Sequence, residues 1–123
     1  MPEPVLIVDD DDDVRAALSD FLELTTRTPC VRAGSLEEAQ RLGEAALNAQ
    51  LAVVDINLGA GRPTGIDVVR WLREVGFKGR ITFLTGHAKN HPLVQQAAQI
   101  YGVRIIEKPV EPDTLAALLA GSS

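Results

Sequence analysis

The chain has 123 residues, 46% of them hydrophobic and 24% charged, with a net charge of -5. That length fits one domain and not two, and it buries a core without disulfide or metal staples. The acidic balance argues against a nucleic-acid surface, which needs a basic patch, and the single cysteine, Cys30, excludes an intrachain disulfide framework and a multi-cysteine zinc site.

Short apolar runs then alternate with amphipathic stretches. Val5-Leu6-Ile7-Val8 is apolar throughout and stops at acid, which predicts a buried strand. Val14, Ala17, Leu18, Phe21 and Leu22 recur at helical spacing. A weaker strand follows at Cys30-Val31-Arg32-Ala33, and Ser35-Leu36-Glu37-Glu38 fits a capping box opening a second helix. Leu51-Ala52-Val53-Val54 is the next buried strand, ending on Asp55. Gly59, Gly61, Pro63 and Gly65 mark a loop, and Ile66, Val69, Leu72 and Val75 line one face of a third helix. Ile81-Thr82-Phe83-Leu84 is a fourth strand, ending on Thr85. His91-Pro92 starts a helix that runs towards Tyr101 and stops at Gly102. Val103 to Ile106 is a fifth strand, followed by Glu107-Lys108-Pro109, and Pro112 opens a last helix through Leu115, Leu118 and Leu119. No apolar run reaches the length of a membrane span, and no basic segment precedes the first apolar run. A cytoplasmic setting with no membrane role is therefore expected.

Strands that are apolar throughout belong in a sheet covered on both faces. The expected fold is α/β, a doubly wound five-stranded parallel sheet flanked by five helices. Such folds place their ligand sites outside the carboxyl ends of the strands. Asp9 and Asp10 follow the first strand, Asp55 ends the third, Thr85 the fourth, and Lys108 comes just after the fifth. Carboxylates crowded on one edge repel, and a divalent cation relieves the repulsion. Hard oxygen ligands with room for water suit Mg²⁺. A cation among carboxylates, a free carboxylate, a hydroxyl and a lysine together make a phosphoryl-transfer site.

With these residues in place, the chain resembles the receiver domains of two-component response regulators, whose fold is flavodoxin-like. The matching pieces are Leu6-Ile7-Val8-Asp9-Asp10-Asp11, Val53-Val54-Asp55-Ile56-Asn57-Leu58, Phe83-Leu84-Thr85-Gly86-His87 and Glu107-Lys108-Pro109. The resemblance implies that residues 1–123 form a single receiver domain with an ordered core of about 4–120 and no output domain. It implies that Asp55 accepts a phosphoryl group from a sensor histidine kinase or a phosphotransfer protein. Asp10 and Asp55 would hold Mg²⁺ through carboxylates, Asn57 through its backbone carbonyl and Asp9 through water, with Mn²⁺ as a substitute. Lys108 would contact the phosphoryl group and precede a cis peptide to Pro109. Thr85 would hydrogen-bond a phosphoryl oxygen and report phosphorylation to an output partner, with a homodimer as one possible assembly.

Three positions depart from the family pattern. The loop from Asp55 to Gly65 is longer than usual, with Gly59 in place of a proline. Ile105 stands where a switch aromatic is usual, so the response is expected to run through Thr85 and the Gly86-His87 loop with small amplitude. Glu111 is a poor cap before Pro112. His87, at the mouth of the site, is a candidate modulator of water access. Asp11, Asp12 and Asp13 read as a solvated helix start, and Cys30 as a small apolar side chain. Two competing functions are a degenerate receiver that acts by protein binding alone and a haloacid-dehalogenase-like phosphohydrolase. The intact acids, threonine and lysine oppose the first. Charged Asp9 in the strand, and no acidic pair after the lysine beyond Glu111 and Asp113, oppose the second.

Overall fold

The structure, a computed structural model, describes residues 3–120. Gly121-Ser122-Ser123, which follow the last expected helix, lie outside the described residues. Strands β1 (Val5–Val8), β2 (Cys30–Ala33), β3 (Leu51–Asp55), β4 (Arg80–Thr85) and β5 (Val103–Glu107) alternate with helical segments. These are α1 (Asp12–Thr26), α2 (Leu36–Leu42), α3 (Glu44–Leu47), α4 (Gly65–Glu74), α5 (Pro92–Ala98) and α6 (Pro112–Leu119). The five strands form one parallel sheet in the order β2-β1-β3-β4-β5.

Strand periodicity divides the core into two. Leu6 and Val8 of β1, Ala52 and Val54 of β3 and Phe83 of β4 point to one side, where they pack with Ala39, Ala46, Ile66, Val69, Leu72 and Val94. Val5, Ile7, Leu51, Val53 and Leu84 point to the other, where Leu22, Leu115 and Leu118 cover them. Helices α1 and α6 therefore shield one face, and α2 to α5 the other. That is why β1 and β3 are buried end to end and cannot alternate with polar residues. Each fully buried aliphatic side chain contributes roughly 1.5–3 kcal/mol.

The structure differs from the sequence reading in detail. The second expected helix is two segments, because Gly43 sits at φ +57 and ends α2 before α3 begins. The expected capping box is half formed: Ser35 accepts from the Glu38 amide at 3.2 Å, but the Glu38 carboxylate takes the Gly34 amide instead, at 2.7 Å. Helix α5 ends at Ala98 rather than near Tyr101, whose ring is 91% exposed. Val75 caps α4 from outside, 43% exposed, rather than continuing its buried stripe. Glu111 makes no side-chain cap for α6, as its chemistry suggests.

Candidate functional site

The sheet order makes β1 and β3 neighbours, and the chain leaves them in opposite directions: from β1 outwards to β2, from β3 outwards to β4. A crevice opens at such a reversal, above the carboxyl ends of the strands. Here it is a cleft of about 360 Å³ lined by Asp9, Asp10, Asp55, Asn57, His87 and Lys108 among others.

Each carboxylate is aimed by its own local turn. Asp9, 1% exposed, accepts the Asp11 amide on Oδ1 at 2.9 Å, and Asp55, 5% exposed, accepts the Asn57 amide on Oδ1 at 3.2 Å. Their remaining oxygens share one cation. Lys108 Nζ lies 3.2 Å from Asp9 Oδ2 and 2.9 Å from Asp55 Oδ2. Lys108 is itself fixed by its backbone, whose N–H donates to the Thr85 carbonyl at 2.8 Å, and its bond to Pro109 is cis. Asp11 turns away to cap α1, accepting from the amides of Asp13 and Val14, so the acidic run splits into site and helix start at that residue.

The triad Asp9, Asp10 and Asp55 offers three carboxylate oxygens, all within 4.8 Å of one another. Hard oxygen donors at that spacing, two buried and one exposed, facing an open cleft with room for water, fit a small divalent cation.

Electrostatics follow from the burial. Burial pushes the Asp55 carboxyl above its ordinary 3.8, and repulsion from Asp9 adds to this, while the Lys108 hydrogen bond and charge partly offset it. Burial works against the Lys108 ammonium, but its hydrogen bond to Asp55 and the field of Asp55 and Asp9 outweigh that and hold it above 10.5. An acid whose folded value lies above its unfolded one contributes stability that is present below 3.8 and lost as the pH rises through the folded value. In EDTA, wild type should therefore gain stability relative to Asp55→Asn as the pH falls from neutrality towards 3.8. Thermal melts of both proteins across that range check this, and a constant difference would reject it.

Two expected site residues border the cavity next to this cleft. Thr85 is 1% exposed, and its hydroxyl accepts the His87 amide at 2.9 Å. It lines a second cavity of about 300 Å³ with Val94, Ala98 and Ile105 rather than the carboxylate cleft. Ile105 packs against the core at the edge of that cavity. His87 borders both spaces, and its ring stacks on His91 at 3.9 Å. His91 caps α5 by accepting the Leu93 amide on Nδ1 at 3.1 Å, as a helix start should.

Two contributors escape a sequence reading. A Cβ at Gly65 would stand 2.1 Å from the Asp55 carbonyl oxygen, so this glycine lets α4 begin directly against the end of β3. Its spacing from Asp55 was the available signal. Arg15, on the first turns of α1, donates from Nη1 to the Asp9 carbonyl at 2.7 Å, which nothing in the local sequence announces.

Residues 5–120 match the family model of the response regulator receiver domain. Among solved structures, the chain is similar to the chemotaxis protein CheY4 of Vibrio cholerae, 22% identical with a TM-score of 0.81 over 100% of both chains. It is also similar to the receiver domain of NtrX from Brucella abortus, 21% identical with a TM-score of 0.80 over 95% of both chains. A third likeness is a CheY-like receiver domain from Methanospirillum hungatei, 22% identical with a TM-score of 0.80 over 98% of this chain and 93% of the other. Comparison with curated protein sequences gives no match. Among the described residues, no helix is long and apolar enough to cross a membrane.

Proposed function

The chain belongs to the family of response regulator receiver domains, and on that premise we propose that Asp55 is its phosphoacceptor. A receiver domain is a phosphoacceptor module of two-component signalling rather than a conventional enzyme, and the family implies a histidine kinase as partner. The observation that carries the reading is the Asp55 carboxylate itself. It is buried at the cleft floor, oriented by the Asn57 amide and Lys108, and grouped with Asp9 and Asp10.

An Asp55 oxygen attacks phosphorus of a phosphohistidine. The P–N bond breaks, its electron pair stays on the imidazole nitrogen, and an acyl phosphate forms. Lys108, already on Asp55 Oδ2, follows the negative charge onto a phosphoryl oxygen. Asp10 and Asp55 would hold the cation directly, Asn57 through its carbonyl and Asp9 through water. Mg²⁺, or Mn²⁺ in its place, would supply positive charge that screens carboxylate from phosphate. Incubation with phosphoramidate and Mg²⁺, followed by intact mass and mapping of the adduct, tests this. One phosphoryl group on the peptide that carries Asp55 is expected. No adduct points to a degenerate receiver, and steady turnover of the donor without a modified state points to a phosphohydrolase.

The response passes through Thr85. Its hydroxyl now serves the His87 amide, and turning inwards to a phosphoryl oxygen would release that amide and move the Gly86-His87 loop. Ile105 is stiff at its first torsion and has no hydroxyl to exchange, so it follows little. Beryllofluoride on wild type should change amide exchange in the Gly86-His87 loop and α5. Thr85→Ala should lose this change while still accepting phosphate. Ile105→Ala should keep it and lose about 2 kcal/mol of stability from packing. The reverse pattern would move the switch to Ile105.

A further inference from the structure

We propose that Arg15 is a positioning residue for the cation site, acting on Asp10 through the peptide bond that joins Asp9 to Asp10. The inference rests on the reading of the acidic triad as a Mg²⁺ site and adds a residue to it. Asp9 and Asp55 are each held at both carboxylate oxygens, by a backbone amide and by Lys108. Asp10 is different. It is exposed, and among the described residues its carboxylate takes part in no hydrogen bond or ion pair of this kind. Its aim depends on its backbone. The Asp9 carbonyl belongs to the peptide plane immediately before the Asp10 Cα, so a group that grips that oxygen sets the direction in which the Asp10 side chain leaves the chain.

Arg15 grips it, with Nη1 donating to the Asp9 carbonyl at 2.7 Å. The other end of the fork, Nη2, pairs with the Asp12 carboxylate one turn back, at the start of α1. The Arg15 side chain is only 19% exposed, and its berth is tight: a Cβ at Gly34 would lie 2.8 Å from Nη1. A planar fork held at two points fixes a peptide plane better than a single flexible ammonium can. Partners that orient metal ligands typically change metal affinity by about 10–100-fold when removed.

Charge and position predict opposite signs, which makes the inference testable. Arg15 is a cation near the site, so as a charge alone it would oppose Mg²⁺, and its removal would tighten binding. As a positioning residue its removal must weaken binding. Mg²⁺ affinity measured by calorimetry should fall about tenfold in Arg15→Met, and less in Arg15→Lys, which keeps the charge and one donor. Phosphoryl acceptance from phosphoramidate should recover in both variants at saturating Mg²⁺, because Asp55 and Lys108 are untouched. If Arg15→Met does not fold, Arg15→Lys alone decides, since its charge is that of wild type and any weakening is geometric. Unchanged or tighter Mg²⁺ binding in a folded variant, with wild type binding normally, overturns the inference alone. Failure of wild type to bind Mg²⁺ overturns the cation site and this inference with it.

Discussion

Asp55→Asn should reduce phosphoryl acceptance to background, a loss of roughly a thousandfold or more, the scale on which removal of a nucleophile acts. The substitution keeps the size of the side chain at the cleft floor but removes its charge and one of its two acceptor oxygens. The environment raises the stakes. Asp55 sits under burial that opposes ionisation and beside Asp9, which opposes it further, and Lys108 keeps one oxygen paired. An amide has a single acceptor oxygen for the two donors that Asp55 now satisfies, the Asn57 amide and Lys108. The variant should therefore fold but carry a slightly misfitted cleft, and its phosphoryl adduct should be absent with small donor and kinase alike. An adduct formed at the wild-type rate would place the acceptor elsewhere.

Withdrawal of the metal should be nearly as severe. Among the described residues, the cleft gathers Asp9, Asp10 and Asp55 around one ammonium, that of Lys108, which pairs with Asp9 and Asp55, so it holds more negative than positive charge before any phosphate arrives. At an effective dielectric of 20, two unit charges 4 Å apart interact by about 4 kcal/mol, close to a thousandfold in rate. EDTA should stop the reaction, and Asp10→Ala should imitate EDTA at any Mg²⁺ concentration that saturates wild type. The same repulsion loads the metal-free fold. In EDTA, Asp10→Ala should melt above wild type, by on the order of 1 kcal/mol, and added Mg²⁺ should stabilise wild type far more than this variant. Full activity in EDTA would reject the cation role, and a metal-free Asp10→Ala that melts below wild type would reject the stored repulsion.

Most of the fold was legible because its signal is coarse. Runs such as Leu51 to Val54 are apolar at every position, and only a sheet covered on both faces buries all of them. The carboxyl-end rule then gathers Asp9, Asp10, Asp55 and Lys108 without knowledge of a single distance. Three kinds of information stayed hidden. The apolar pattern of Leu42, Ala46 and Leu47 continues through Gly43, so periodicity cannot register a break made by one backbone dihedral. The residue after a strand can face either of two spaces: Thr85 follows the rule in position, yet its side chain lines the cavity beside α5. Arg15 works through a backbone carbonyl, and any residue has one, so no pairing of residue types betrays the contact.

The bridge from Lys108 to Asp9 joins residues 99 positions apart, and its other arm reaches back 53 positions to Asp55. A polypeptide that has emerged only as far as α5 already possesses all three carboxylates, but not the ammonium that bridges two of them. The site is thus complete only when the last strand, β5, docks on β4 and brings Lys108 to the carboxylates.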